Sequence, residues 1–427
     1  MHNNTVDSFL NNLLLFLIFC FPLFVIFGNA AMNISTVAIS MIILFRFLNG
    51  MKFQLLNNFL LIYLTSLILF IFVNSIFKID SFELFFKLIG YFRYLFLAIG
   101  VYIVLENINK KQISFFLNFN LILILLVGLD IIYQYIFNEN IFGFLPGMCD
   151  GMSKCSRFSG VFGKELIAGS FMCQIGLLML FLKMGSKFDI TNLFIPILFF
   201  FIFLIIIISG ERNAFLIFLI SIFFISFFKK KFLSFLFITI FLLSCVFILA
   251  KKNETINDRF IDLYKGVNIV PNSSLIEKIK ENPWSYHYQA AIELFLDKPF
   301  SGHGIKSFRV QCKETNIDKK IVSEKNPHRY KGYRACSTHP HNYFLEFLSE
   351  QGLMGGLFYL GLFIIVFINI KRKIRIQNEV FLSIAIGSLI LAIIFPFKPS
   401  GSFLSSYNAS LLFYILGFFM HSLKKVK

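Results

Sequence analysis

Long apolar segments alternate with short polar connections along most of the chain. A helix needs about 20 mainly apolar residues to cross a membrane, because the hydrocarbon core of a bilayer is about 30 Å thick. This criterion predicts about twelve spans, and therefore an all-α polytopic membrane protein. The predicted spans lie at residues 9–28, 31–49, 55–77, 83–105, 113–136, 166–184, 190–209, 212–228, 232–250, 351–370, 377–396 and 403–421.

Two longer polar stretches interrupt this pattern, at residues 137–165 and 251–340. They divide the chain into three predicted regions. Residues 1–250 form a bundle of about nine helices, and residues 251–340 form one large loop. Residues 341–427 carry a polar motif and the last three predicted spans.

The large loop is expected to be partly helical. Its segment 285–298 has apolar residues at the spacing of one helix face, which predicts an amphipathic helix. The glycines in residues 302–304 predict a flexible turn after it. The residues expected on the buried helix face are Tyr288, Ala291, Ile292 and Phe295.

The composition supports the membrane interpretation. Hydrophobic residues make up 57% of the chain and charged residues 15%, and the mean hydropathy is +0.76. These values lie outside the range of ordinary soluble domains. The formal net charge of +17 does not require a nucleic acid partner, because most short-loop lysines and arginines lie on one side of the predicted membrane.

Positive residues in short loops mark the cytoplasmic side of a membrane protein. Here they lie mostly on the side of the two chain termini, and the short loops of the other side carry chiefly Lys78 and Lys398. The pattern predicts cytoplasmic termini, with loops 137–165 and 251–340 facing outward. The predicted cytoplasmic residues include Lys52, Lys110, Lys183, Lys229, Lys371 and Lys424.

The cysteines agree with this orientation. Three lie in apolar segments, where cysteine is a small core residue, and four lie in the outward loops, where an oxidising compartment favours disulfides. We expect the pairs Cys149–Cys155 and Cys312–Cys336. Free thiols are the alternative, because connectivity cannot be read from a sequence. The three expected core cysteines are Cys20, Cys173 and Cys245.

A polar motif lies where the large loop returns to the membrane, and it contains His339, His341, Asn342, Glu346 and Glu350. A neutral imidazole accepts a proton near neutral pH, so His341 is the leading candidate for a general base. The alternative is that Asn342 and its neighbours only cap the following helix. The two histidines are two residues apart and do not share a helix face, so no metal site is expected.

Arg212 follows Glu211 at the outer start of a predicted span. A guanidinium beside a helix N-terminus is suited to holding a diphosphate through paired hydrogen bonds. Adjacent residues do not pair easily on a helix, so Arg212 needs a partner other than Glu211. The alternative is an interfacial arginine that extends to the membrane surface, or one paired with Glu211 after all.

Three further charges, Lys87, Arg93 and Asp130, lie within predicted spans. Charges inside a membrane mark a functional cavity or a buried partner. Lys87 and Arg93 are therefore candidates for substrate binding or for an ion pair with Asp130. The sequence leaves both interpretations open.

Residues 157–165 lead from the smaller outer loop into a span and include three small residues. They predict close backbone packing or a re-entrant turn, with Arg157 and Glu165 available to a polar cavity. A plain loop with an interfacial carboxylate fits the pattern equally well.

Together these motifs resemble those of the O-antigen ligase and polymerase superfamily of bacterial envelope membrane proteins. His341-Asn342, nine residues and then Gly352-x-x-Gly355 match the histidine pattern of the ligases. Arg212 and Leu216 match their Arg-x-x-x-Leu pattern. The layout of about twelve spans, with one large outer loop before the histidine, is similar as well.

The resemblance implies glycan transfer at the periplasmic face of the bacterial inner membrane. A ligase moves a polysaccharide from undecaprenyl diphosphate to a lipid A-core hydroxyl, and a polymerase joins lipid-linked repeat units. By this resemblance His341 deprotonates the acceptor and Arg212 steadies the diphosphate, without a cofactor or metal. The implied partners are the lipid-linked donor, a lipid A-core or glycan acceptor, and the bilayer.

One feature departs from the family pattern. Ligases carry a further arginine in the outer loop near the amphipathic helix, whereas residues 284–287 begin that helix here without one. His287 or Arg309 is expected to replace it. The full set of expected substrate-binding residues is Lys87, Arg93, Arg157, Glu165, His287, Arg309, His339, Asn342 and Glu346.

Two other function classes fit parts of the pattern. A transporter or flippase would also have about twelve spans and buried charges, but it does not need histidines on an outer loop. A structural envelope component would leave the intramembrane charges unexplained. We therefore expect a membrane glycosyltransferase of the ligase type, with a polymerase as the alternative.

Overall fold

The described part of the protein is mainly helical, with one short hairpin. The computed structural model describes residues 2–50, 58–78, 82–150, 154–185, 193–261, 283–315, 317, 335–377 and 380–424. Part of the large loop therefore lies outside the described residues, including two of its arginines, Arg329 and Arg334.

The first part of the chain forms helices because its apolar runs are broken only at short polar connections. Two of these connections also cap the next helix. The Asn58 side chain accepts a hydrogen bond from Leu60 N at 3.1 Å, and Asn109 with Gln112 forms a capping box. The helices are α1 (His2–Phe19), α2 (Phe21–Ile26), α3 (Asn29–Leu48), α4 (Phe59–Ile76), α5 (Phe82–Gly90), α6 (Phe92–Asn107) and α7 (Lys110–Phe137).

An antiparallel hairpin follows, made of β1 (Gly147–Asp150) and β2 (Lys154–Arg157). Its register places Cys149 opposite Cys155. Opposed Cα atoms in such a pair are about 4.5–5.5 Å apart, which a disulfide can span. The side chains of both cysteines lie outside the described part of the structure, so their bond stays a prediction.

The middle of the chain contributes five further helices, a single π-helical turn and one short helix in the large loop. The π-helical turn, Met172–Gly176, joins α8 (Ala168–Phe171) to α9 (Leu177–Gly185). The other elements are α10 (Phe194–Ile208), α11 (Arg212–Phe228), α12 (Phe232–Lys252) and the loop helix α13 (Glu254–Phe260).

The last part of the chain combines two more loop helices with three apolar helices. The C-terminal helix packs against α6 and against the helix before it, which in turn packs against α11. These elements are α14 (Pro283–Asp297), α15 (Phe308–Glu314), α16 (Tyr343–Ile376), α17 (Phe381–Ile393) and α18 (Ser406–Ser422).

The helices bear out the expected fold class in its coarser form. In the described residues, seven helices are long and apolar enough to cross a membrane, and four shorter ones are also apolar. A helix or a pair of helices lies at each predicted segment, but the number of twelve spans stays a prediction. The seven candidate spans are Asn29–Leu48, Phe59–Ile76, Phe82–Asn107, Lys110–Phe137, Ala168–Gly185, Phe232–Lys252 and Tyr343–Ile376.

The large loop has a small apolar core of its own. Helices α14 and α15 bury Tyr286, Leu294, Phe308 and Cys312 against one another. The predicted amphipathic helix is present, but its buried face is rotated from the expected one, since Ile292 is 45% exposed. Tyr286, Ala290 and Leu294 are buried instead, in the same apolar core as the disulfide-bonded Cys312 and Cys336.

The two ends of the helix bundle differ in character. At one end, Lys373 donates to the Lys424 carbonyl and Lys424 forms an ion pair with Glu106. A groove of about 350 Å³, lined by Lys110 and His421 among apolar residues, opens at the same end. We call this the lysine-rich end. The hairpin and the loop helices are connected to the opposite ends of the helices.

Candidate active site

Three histidines and a tryptophan form a cluster at the end of the bundle opposite the lysine-rich end. The His341 ring centroid lies 4.1 Å from that of His339, 5.0 Å from that of His287 and 4.7 Å from that of Trp284. We call these four residues the histidine cluster. It joins the start of α14 to the segment before α16, so the loop helix completes a site that begins in the polar motif.

The backbone around His341 explains how its ring reaches α14. His341 has a positive φ of 57°, a conformation that is uncommon for residues other than glycine. Its carbonyl accepts a hydrogen bond from Ser400 N at 2.9 Å, which holds the turn in place. The next residue, Asn342, caps α16 by accepting from Leu345 N at 2.9 Å.

Asn342 has a second function beyond capping. Its amide nitrogen donates to the carbonyls of Pro396 at 2.7 Å and Lys398 at 3.1 Å. The capping interpretation offered by the sequence is therefore right for Asn342, and it does not compete with a site at His341. The asparagine fastens the loop between α17 and α18 beneath the histidine cluster.

The imidazoles of His339 and His341 have pKa values well below the ordinary histidine value. Burial, followed by repulsion from His287, lowers the pKa of His341 to about 4. Burial and repulsion from His341 lower the pKa of His339 to about 3. Both rings are therefore neutral at neutral pH, and burial makes them weak bases unless a negative charge lies beside them.

His287 is held by the disulfide-linked part of the loop. Its Nδ1 lies 2.8 Å from the Ala335 carbonyl, next to Cys336. The Cys312–Cys336 bond thus connects α15 to the segment that orients His287. On the other side of the cluster, the positive charges of Lys306 and Arg309 lower the pKa of His339 further. Arg309 itself is exposed.

The two carboxylates of the polar motif point away from the histidines. Glu346 accepts from Phe403 N at 2.7 Å and from Ser402, and its carboxylate lies 3.9 Å from Lys306 Nζ. Glu350 accepts from Lys306 N at 2.8 Å. These contacts bind the loop segments before α15 and α18 to α16, around a cavity of about 20 Å³.

The motif glycine Gly352 allows two backbones to cross at this point. It has a φ of 70° inside α16, and a Cβ atom there would lie 2.3 Å from the Phe300 carbonyl oxygen. Gly302 approaches from the other side, with Gly304 N donating to Glu350 O at 2.8 Å. The predicted flexible turn at 302–304 is therefore bound to α16. Gly355 lies one turn further along α16.

A second cluster forms around Arg212, at the first turn of α11. The Arg212 Nε donates to the Arg259 carbonyl at 2.6 Å, and its Nη2 to the Asp258 carbonyl at 3.2 Å. In return, the Arg259 guanidinium donates to the Gly210 carbonyl at 2.9 and 3.0 Å. Each arginine thus binds the backbone that carries the other.

Arg157 adds a third guanidinium, and Glu211 adds the one carboxylate of this group. Arg157 lies 3.6 Å from the Glu211 carboxylate, which also accepts from Gly169 N at 2.8 Å and from the Ser170 hydroxyl at 2.7 Å. We call Arg157, Glu211, Arg212 and Arg259 the arginine cluster. Its three cations exceed its single anion, so it is suited to an anionic ligand.

The arginine cluster keeps its charge despite burial. Burial and repulsion from Arg212 lower the pKa of Arg259 to about 10, which still leaves it cationic at neutral pH. Guanidinium groups lose their proton only far above neutral pH, so desolvation cannot neutralise them as it neutralises the histidines.

One loop connects the two clusters. The Lys398 ammonium lies 3.4 Å from the Asn213 side-chain oxygen, next to Arg212. The same loop receives Asn342 at the Lys398 carbonyl and donates from Ser400 to His341. The candidate base and the candidate anion site are therefore linked by residues 396–400.

Other charges expected at the site lie elsewhere. Lys87 pairs with Glu83 on an exposed helix surface, and Arg93 donates to Asn33 at 3.2 Å and to the Tyr94 hydroxyl at 2.7 Å. The suggested pairing of either with Asp130 is wrong. Asp130 instead accepts from Asn140 and from Ile141 N, at 3.2 and 3.1 Å, because it fastens the turn after α7.

Glu165 was expected beside Arg157 in a polar cavity, but its side chain is exposed. The carboxylate that pairs with Arg157 is that of Glu211. The sequence interpretation also missed Arg259 and the ring of Trp284. A signal for Arg259 was present, because it is an arginine of the large loop, but it lies upstream of the amphipathic helix and not next to it. In the part of the chain that the structure describes, no group of three His, Cys, Asp or Glu side chains is arranged to hold a metal ion.

Comparison with known families supports this architecture. Residues 197–360 match a family model described as O-Antigen ligase. No curated protein matches the chain. The matched segment includes both His341 and Arg212, and the match supports an O-antigen ligase-like superfamily, as the motifs predict. With its apolar helices, the chain is a multi-pass membrane protein.

Proposed function

We propose that this O-antigen ligase-like protein transfers a polysaccharide from undecaprenyl diphosphate to a hydroxyl of the lipid A-core oligosaccharide. The observation that carries the proposal is the link between a neutral histidine cluster and a cationic arginine cluster through residues 396–400. Glycosyl transfer from a lipid diphosphate needs these two environments, one to accept a proton and one to hold a departing anion.

In the proposed step, the acceptor hydroxyl attacks the anomeric carbon of the donor sugar and gives its proton to His341. The bond between that carbon and the diphosphate oxygen breaks, and undecaprenyl diphosphate leaves with the electron pair. His341 is neutral at neutral pH because burial lowers its pKa to about 4. The nearby diphosphate charge would stabilise the imidazolium as it forms.

Arg212 and Arg259 would hold the diphosphate. Arg259 also takes the role of the outer-loop arginine, for which the sequence offered His287 or Arg309. It lies in the large loop, and its carbonyl contacts the Arg212 guanidinium at 2.6 Å. His287 lies 5.0 Å from His341 and is better placed to orient the base than to bind the leaving group.

We further propose that the site faces the periplasm and that both termini are cytoplasmic. Support comes from the collection of Lys110, Lys373 and Lys424 at the lysine-rich end, as expected for a cytoplasmic surface. The Cys312–Cys336 disulfide at the site end suits an oxidising compartment. The loop at 251–340 would then be the periplasmic domain of a protein in the bacterial inner membrane.

A deletion strain tests the function through its lipopolysaccharide. We expect loss of the attached polymer and accumulation of the lipid-linked polymer, with both restored by the wild-type gene and neither by His341→Ala. A single attached repeat unit would instead indicate a polymerase. Unaltered surface glycan would overturn both functions.

A further inference from the structure

Lys398 lies in the loop between α17 and α18, and this loop is fastened to the segment that carries the candidate base. Ser400 N donates to the His341 carbonyl, and Asn342 donates to the Pro396 and Lys398 carbonyls. The position of the Lys398 backbone is therefore fixed relative to the histidine cluster.

The Lys398 side chain extends from this loop toward the arginine cluster and is only 4% exposed. Its ammonium lies 3.4 Å from the Asn213 oxygen and 3.3 Å from the Pro399 carbonyl. Both distances exceed the usual 2.7–3.2 Å of an N–H···O bond. The ammonium also lies 5.2 Å from the centre of the Tyr343 ring, a cation–π contact.

The contacts of Lys398 are weak for a buried cation. Among the described residues, no carboxylate forms an ion pair with it. Burial lowers the pKa of Lys398 to about 7, so the charged form is held at a free-energy disadvantage in this position. An anion placed beside the ammonium would remove that disadvantage, because buried charges are stable when they are paired.

We propose that Lys398 binds the diphosphate of the lipid-linked donor, between the arginine cluster and His341. This inference rests on the proposed function, and it adds a lysine that neither ligase motif contains. Asn213, which the ammonium approaches, is the neighbour of Arg212 on the first turn of α11. The lysine would contact the phosphate oxygens nearest the sugar, since its loop also positions His341.

A purely structural lysine makes a different prediction. If the ammonium served only to hold Tyr343 and Asn213 together, its removal would lower stability without changing affinity for diphosphates. The buried lysine at the opposite end, Lys373, provides a matched control, because it donates to the Lys424 carbonyl far from the two clusters.

The experiment measures lipid binding to purified full-length protein in nanodiscs by native mass spectrometry. The probes are undecaprenyl diphosphate, undecaprenyl monophosphate and phosphatidylglycerol. We expect Lys398→Met to weaken undecaprenyl diphosphate binding by about tenfold or more, the effect of losing one charge-assisted hydrogen bond. Lys398→Arg should stay within a few-fold of wild type, and Lys373→Met should equal wild type.

Unchanged diphosphate affinity in Lys398→Met would overturn the proposal. Equal weakening for phosphatidylglycerol would also overturn it, because the lysine would then bind any phospholipid headgroup. Lys398→Gln provides a second variant if Lys398→Met does not fold, as judged by its apparent unfolding temperature. Binding is measured without glycan transfer, so a deletion strain with normal lipopolysaccharide would overturn the proposed function and leave a positive binding result standing.

Discussion

In the histidine cluster the side chains contact one another, whereas in the arginine cluster the guanidinium groups of Arg212 and Arg259 contact main-chain carbonyls. Both clusters are partly buried, but burial has opposite consequences for their charge. It leaves His339 and His341 neutral at neutral pH, because the unperturbed pKa of histidine is near 6.5. It leaves the arginines charged, because their pKa lies far above neutral pH.

Burial therefore affects the charge of imidazole and guanidinium groups differently. The same desolvation leaves uncharged imidazoles on one side and charged guanidinium groups on the other. Different helices hold the side chains of the two clusters in position. Asn342 and Gly352 hold the histidine side through α16, and the α13 backbone holds the arginine side.

The largest expected effect is on the histidine side. His341→Ala should lower glycan transfer by about 10²–10⁴-fold, the usual contribution of a general base, while undecaprenyl diphosphate binding stays unchanged. Transfer is measured with lipid-linked glycan and purified lipid A-core acceptor. His421→Ala, which alters a half-buried histidine at the lysine-rich end, serves as the control. Wild-type transfer by His341→Ala would remove this residue from the mechanism.

A smaller loss of activity is expected on the arginine side, together with a loss of donor affinity. Arg212→Lys should lower transfer and diphosphate binding by about 10–100-fold, since an ammonium cannot donate in the fork geometry of a guanidinium. The control is Arg46→Lys, which alters a guanidinium bonded to Asn11 outside both clusters. Donor affinity equal to that of wild type would separate Arg212 from the diphosphate.

Gly352→Ala tests the support of the histidine side. Positive φ alone disfavours alanine, and here the Cβ atom would also lie 2.3 Å from the Phe300 carbonyl oxygen. We expect a destabilisation of about 1–3 kcal/mol, seen as a lower apparent unfolding temperature in detergent. Gly143→Ala is the matched control, because Gly143 has a φ of 78° and no atoms within 4 Å of its Cβ position. Equal losses in the two variants would mean that the crossing at Gly352 contributes nothing beyond backbone strain.

The smallest expected effect is the contribution of the histidine side to the pH dependence of stability. The folded pKa values of His339 and His341, about 3 and about 4, lie below the ordinary value of 6.5. The unfolded chain therefore binds protons first as the pH falls, and stability decreases from about pH 6.5 down to about pH 4. Apparent unfolding temperatures measured at pH 7 and pH 4.5 should differ less in His339→Asn than in wild type. An identical difference in both proteins would contradict the burial of this imidazole.

Much of the membrane architecture could be read from the sequence, because apolar length and helix caps are local properties. The histidine motif was readable for the same reason, since His341, Asn342 and Gly352 lie within one short segment. Even in this segment, the sequence did not show why position 352 requires a glycine. The reason is the crossing with the backbone at Phe300 and Gly302, which lies some fifty residues earlier in the chain.

The sequence by itself determined the apolar helices, the polar motif and the position of Arg212 at the start of a helix. Only the tertiary structure decided which distant groups join them. Arg157, Arg212 and Arg259 come from three separate segments, and Lys398 comes from a fourth. A sequence records the charge of such residues but not their neighbours, because the packing of the helices determines which buried charges meet.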